Sequence, residues 1–235
     1  MRLIADSYMV RPGLYARDLI LALALLVFPL SSNALGQDQS PAAAESEAEQ
    51  TPIDASTPAS LIDGLHAALL GVMRDAESLG YPGRRDALEP VLAAAFDLPA
   101  MAEISVGRSW TKMDDAQKTA LVEAFSSITY STYADRFDGF SGERFETLGD
   151  QPGPQGRTWV KTQIVRSNDE PVAINYLVTP AGQSWKIVDV YLKGGISEMA
   201  TRRAEYTSVI KRQGLEGLIE ALNDRLEKLD KRTAG

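Results

Sequence analysis

The sequence has no cysteine and a single histidine, His66. Without cysteine there are no disulfides, thiol nucleophiles, thiolate metal sites or cysteine-linked lipids. With one histidine, a Ser-His-Asp constellation has one candidate base, and a multi-histidine metal centre is excluded. Positive charge is scarce too: 24 Lys and Arg stand against 32 Asp and Glu, a formal net charge of -8. Nucleic acid is therefore excluded as an expected partner, because binding it requires a basic face that displaces counterions. Long residence on an anionic membrane surface is disfavoured, although a local basic patch could still touch one. Long apolar runs are also missing, with one exception. Leu19 to Leu30 reads LILALALLVFPL, about a dozen residues where a spanning helix needs about 20.

That run has the flanks of an export signal. Arg2, Arg11 and Arg17 precede it, and the small residues of SSNALGQ follow. The expected signal occupies residues 1–36, with cleavage after Ala34 or Gly36; an uncleaved membrane anchor is the alternative. Residues 37–56 are rich in Ala, Glu, Gln, Ser and Pro without apolar periodicity. Such a segment buries too little surface to offset its ordering entropy and is expected to be a disordered linker. The remainder, residues 57–232, is expected to be one folded domain: 44% hydrophobic and 24% charged residues are globular values.

Within the domain the apolar period is first helical. Thr57 and Pro58 read as a helix start, and Leu61, Leu65, Leu69 and Met73 recur on one face. Gly80-Tyr81-Pro82-Gly83 is expected to stop this helix. A second runs from about Arg84 to Ala95, kinked or split by Pro90. Asp97 is expected to cap a third helix carrying Met101 and Ile104 and closed by Trp110. Asp114 and Gln117 form a capping box for a fourth, with Leu121, Phe125, Ile128, Tyr130, Tyr133 and Phe137. The period then falls to two. Strands are expected at residues 144–148, 157–166, 171–178 and 184–191, joined by short turns and therefore antiparallel. Helix returns after Gly194-Gly195, capped by Ser197, with Tyr206 and Ile210 inward and an interruption at Gly214. The fold class is α+β, helices packed on one side of a curved sheet.

Two segments resemble the MlaC family of periplasmic phospholipid-binding proteins, also called toluene-tolerance auxiliary proteins, and within it the hopanoid-associated, HpnM-like branch. In the first, Phe96, Asp97, Gly107, Trp110 and Gln117 match the family pattern. In the second, Trp185, Lys186, Ile187, Asp189, Val190, Gly195, Ile196, Ser197, Arg203 and Tyr206 do so, Tyr206 standing where the family usually has Phe. The resemblance implies an NTF2-like curved antiparallel sheet wrapped by helices, with lipid tails between the two layers and the headgroup near solvent. It implies a periplasmic carrier shuttling phospholipid or hopanoid between inner and outer membranes. The implied partners are an inner-membrane transport complex and an outer-membrane lipid-exchange protein.

The chemistry suits that role. A chain of roughly sixteen methylenes exposed to water costs about 13 kcal/mol, so a carrier must offer a dry apolar cavity. Candidate lining residues are Leu69, Met73, Met101, Ile104, Trp110, Phe125, Val172, Ile174, Tyr176, Val178 and Ile187, with Met199 as a further flexible filler. The same residues would equally fill a solid core. Arg203 is the headgroup candidate, or else pairs with Asp189 to fix the last helix on the sheet. His66 is expected at the boundary of the first helix's apolar stripe. Asp114-Asp115 reads as a cap rather than a metal site. Trp110 and Trp185 read as core anchors. Lys186, Lys193, Arg202, Lys211 and Arg212 form either a solvated face or a docking patch. No cofactor, metal or catalytic residue is expected. The competing functions are an enzyme on an NTF2-like scaffold, of isomerase or dehydratase type, and an adaptor with a solid core.

Overall fold

The computed structural model describes residues 53–166, 169–193 and 195–233. The expected export signal, and the expected linker up to residue 52, lie outside these. The last residues of that linker are already docked: Ile53 and Ala55 pack on the core, and the Ala55 carbonyl accepts from the Trp185 amide at 3.0 Å.

Helix α1 (Pro58–Arg74) begins where Thr57 and Ser60 cap each other reciprocally. Its apolar stripe, Leu61, Leu65, Leu69 and Met73, is buried. It ends at Asp75, earlier than expected, and α2 (Ala76–Ala95) crosses the Gly80-Tyr81-Pro82-Gly83 segment. The break inside α2 is at Gly80, whose φ of 57° and ψ of -177° are nearly exclusive to glycine. Pro82 then sits in the first turn of the resumed helix, where a missing N–H is tolerated. Pro90 lies on the exposed side of α2 and does not split it. Asp97 caps α3 (Leu98–Val106), its Oδ1 accepting from the Ala100 amide at 3.1 Å. A 3-10 turn over residues 107–112 leads to α4 (Asp115–Arg136), opened by the reciprocal Asp114–Gln117 box.

The sheet has the order β1-β2-β3-β4-β5, with every neighbouring pair antiparallel. The strands are β1 (Arg144–Pro152), β2 (Thr158–Val165), β3 (Val172–Ala181), β4 (Ser184–Leu192) and the short β5 (Ile196–Ser197). β1 runs past the expected Leu148 because a register shift between Thr147 and Gly149 lets pairing with β2 resume. β5 is too short to leave a period in the sequence. Helix α5 (Glu198–Thr233) follows, broken at Gly214.

Buried polar groups tie the layers together. Arg84 donates to the carbonyls of Ala134 and Ala76 at 2.9 and 3.0 Å, joining α2 to the end of α4. The Tyr81 hydroxyl reaches Asp230 on α5 at 2.9 Å. The expected Asp189–Arg203 pair does not form. Asp189 instead accepts from the Ser197 hydroxyl at 2.6 Å and the Met199 amide at 3.1 Å, and so fixes the start of α5 on β4. Arg203 is exposed and lies over Gly107. The φ of 55° at Gly107 is what requires glycine there; a Cβ would stand 2.6 Å from the guanidinium, whose exposed, flexible side chain can move aside. Nor do the late cations form one patch. Lys186 donates to the Ala93 carbonyl at 3.0 Å and to that of Ala94, capping α2, while Arg202 turns inward.

Candidate functional site

Between the sheet and the helices lies a hollow of about 80 Å³. Its apolar walls come from both layers. Leu69 of α1, Phe96 and Met101 around the start of α3, and Phe125 of α4 face Phe145 of β1, Ile174 and Tyr176 of β3, and Val190 and Leu192 of β4. Leu69, Phe125 and Tyr176 are at most 3% exposed, as are Phe96, Met101 and Met199. Phe137, Phe145 and Leu192 are half-buried and mark the end nearer solvent. Met101 and Met199 line the same space, and their unbranched thioethers are the side chains best able to move aside.

The expected lining residues divide into two sets. Leu69, Met101, Phe125, Ile174 and Tyr176 are brought together around the hollow, as is Met199. Met73, Val178 and Ile187 are buried but do not line it; Val178 pairs with Ile187 across β3 and β4. Ile104, Trp110 and Val172 are half-buried at the edge of the core. Trp185 packs there as well, and Lys118 lies 5.8 Å from the Trp110 ring. Arg203 is outside the hollow, and Arg202, one residue earlier, lines it. Adjacent residues on an α-helix point about 100° apart, so the sequence pattern alone could not choose between the two arginines.

His66 is not a boundary residue. It is 4% exposed, stacks on Phe145 with centroids 4.0 Å apart, and shares a 2.9 Å hydrogen bond between Nε2 and the Tyr176 hydroxyl. Burial pushes its pKa down to about 3, so the ring is neutral. It stands behind Phe145 and Tyr176 as a support for the wall. Its partner is a phenol and not a carboxylate, so it lacks the acid–imidazole pairing of a triad.

One side of the hollow is charged. Arg136 and Tyr133 of α4 and Glu198 and Arg202 of α5 all line it. Glu198 is 5% exposed, and its Oε2 is buried without a hydrogen-bond partner. Burial raises its pKa to about 7, against the pull of Arg202 and Arg136. Burial also lowers Arg136 to about 10. For Arg202 burial is outweighed by Tyr206 and Glu198, and its pKa rises. Its Nη1 donates to the Tyr206 hydroxyl at 3.2 Å, and its guanidinium lies 5.4 Å from the Phe125 ring. Glu198 and Arg202 are four residues apart, which puts them on one helical face. Tyr206 and Ile210, expected inward, continue the same i, i+4 row, but Arg202 is expected among the late cations and not in the lining. Among the described residues no cluster of His, Asp and Glu could hold a metal ion, and no helix is long and apolar enough to cross a membrane.

Residues 64–224 match the model of a family described as MlaC protein. No curated protein matches the chain. Among solved structures, a phospholipid-binding protein from Ralstonia solanacearum, in complex with a phospholipid, superposes with a TM-score of 0.64 at 20% identity. The match covers 73% of this chain and 97% of that one.

Proposed function

Because this chain belongs to the MlaC family, we propose that it is a periplasmic carrier that takes the apolar part of a membrane lipid into the hollow and shuttles it between the inner and outer membranes. The reading rests on one observation above all: an apolar space walled by both sheet and helices, with Leu69, Phe125 and Tyr176 among its buried walls. The neighbour from Ralstonia solanacearum, which has this fold, holds a phospholipid, and the corresponding ligand here is a phospholipid or a hopanoid. Binding and not catalysis is the activity, since the buried His66 is engaged by Tyr176 and Asp189 by the start of α5. In this proposal residues 1–36 are the export signal, residues 37–56 a linker whose last part, Ile53 and Ala55, packs on the domain, and residues 57–232 the carrier domain. Its partners are an inner-membrane transport complex and an outer-membrane exchange protein.

The hollow of about 80 Å³ is the closed form. A cavity of about 150 Å³ holds a benzene, and sites for drug-sized ligands measure about 300–1,000 Å³. A lipid tail enters by displacing side chains, above all Met101 and Met199, and by separating α5 from the sheet. The energetic return is large, because each methylene moved from water contributes about 0.8 kcal/mol. The test is organic extraction of the purified full chain followed by mass spectrometry. Close to one lipid per chain, or that stoichiometry after incubation with vesicles, is expected. A lipid-free protein that takes up none from vesicles would overturn the proposal.

A further inference from the structure

The charged side of the hollow is unlike anything a simple tail pocket requires. Glu198 is 95% buried, lines the hollow, and has an Oε2 with no hydrogen-bond partner. Leaving a buried acceptor unpaired is unfavourable, and native structures rarely do so without a reason. The groups that act on Glu198 are Arg202 and Glu205 on its own helix, Arg136 and Tyr133 on α4, and Asp189 on β4. Of these, Arg136, Arg202 and Tyr133 share the hollow's lining with it.

We propose that Glu198, Arg136 and Arg202 form a recognition site for a hydroxyl group on the lipid, which donates to Glu198 Oε2 and accepts from the neighbouring guanidiniums. The proposal rests on reading the hollow as a lipid site. A cationic group is disfavoured there by two guanidiniums, and a bare anion, which they would attract, has no hydrogen to donate to Glu198 Oε2. A hydroxyl is neutral and both donates and accepts, so a single group satisfies both kinds of partner. A hydroxyl of this kind occurs on a polyol phospholipid headgroup or on a hydroxylated polycyclic hydrocarbon.

The test separates these sources and separates the proposal from the carrier reading. The full chain is incubated with phosphatidylcholine vesicles containing equal phosphatidylglycerol and phosphatidylmethanol, which share a charge and differ in hydroxyls. A second set contains a pentacyclic triterpene alcohol and the matching hydrocarbon. Bound lipid is quantified by mass spectrometry for wild type, Glu198→Leu and Glu198→Gln. Wild type is expected to prefer the hydroxyl-bearing member about tenfold in at least one set, the discrimination expected of a hydrogen bond to a charged group. Glu198→Leu is expected to bind lipid without that preference. Glu198→Gln, which keeps the shape and a carbonyl acceptor, is expected to retain part of the preference. Equal uptake within both sets by wild type, or a preference that survives in Glu198→Leu, would overturn the proposal. Failure of wild type to take up any lipid would overturn the carrier reading itself.

Discussion

Two buried titratable side chains give stability opposite pH slopes. Glu198 has a folded pKa of about 7 against an ordinary 4.5. The fold therefore holds a proton that the unfolded chain releases. Its contribution is full below about pH 4.5 and is lost as pH rises to about 7, on the order of 3 kcal/mol. His66 has a folded pKa of about 3 against 6.5. The unfolded chain binds the proton first, so its contribution is full above about pH 6.5 and is lost as pH falls toward 3. Thermal melts from about pH 4 to about pH 8 check both. Glu198→Gln is expected to abolish the relative decline between weakly acidic and neutral pH, and His66→Gln to flatten the acid side. Identical pH profiles for wild type and Glu198→Gln would contradict the burial of that carboxylate. Neither group was legible in the sequence. His66 stands beside an apolar stripe and Glu198 follows a cap, and in each case the partner is distant in sequence: Tyr176 for His66, Arg136 for Glu198.

Elements were far more legible, because their signals are local. The Asp97 cap, the Asp114–Gln117 box and the shift from a period of 3.6 to one of 2 each placed an element before any tertiary contact was considered. Breaks were less so: α1 ends at Asp75 and not at Gly80, since Ala76 onward can resume helix and packs on the core. Gly214 was readable as an interruption, and its geometry sharpens the point. With φ at 76° and ψ at -176°, alanine there is expected to cost about 1–3 kcal/mol. Gly71 is the control: it lies inside α1 with nothing near its would-be Cβ, and Gly71→Ala is expected to stabilise by about 0.4–1 kcal/mol. Denaturant melts distinguish the two, and a neutral Gly214→Ala would contradict the break in α5. Asp189 belongs to the same junction. Asp189→Ala removes the acceptor for both Ser197 and Met199 and is expected to cost about 2 kcal/mol.

For the whole molecule, the question is whether the layers part to admit a tail. Five of the residues picked from the sequence as apolar lining, Leu69, Met101, Phe125, Ile174 and Tyr176, surround the hollow. Met73, Val178 and Ile187 are buried but do not line it, a distinction that periodicity cannot make because cavity wall and core share the same side chains. Met101→Trp should fill the hollow, reduce lipid uptake at least tenfold and change stability by no more than about 1–3 kcal/mol. The most direct measurement uses phosphatidylcholine with a photoreactive diazirine at the end of one acyl chain, loaded from vesicles, with cross-linked peptides identified by mass spectrometry. Cross-links at Leu69, Phe125 or Tyr176 are predicted. Cross-links confined to the exposed Phe140, Leu148 and Ile196, or none, would contradict entry of the tail between sheet and helices.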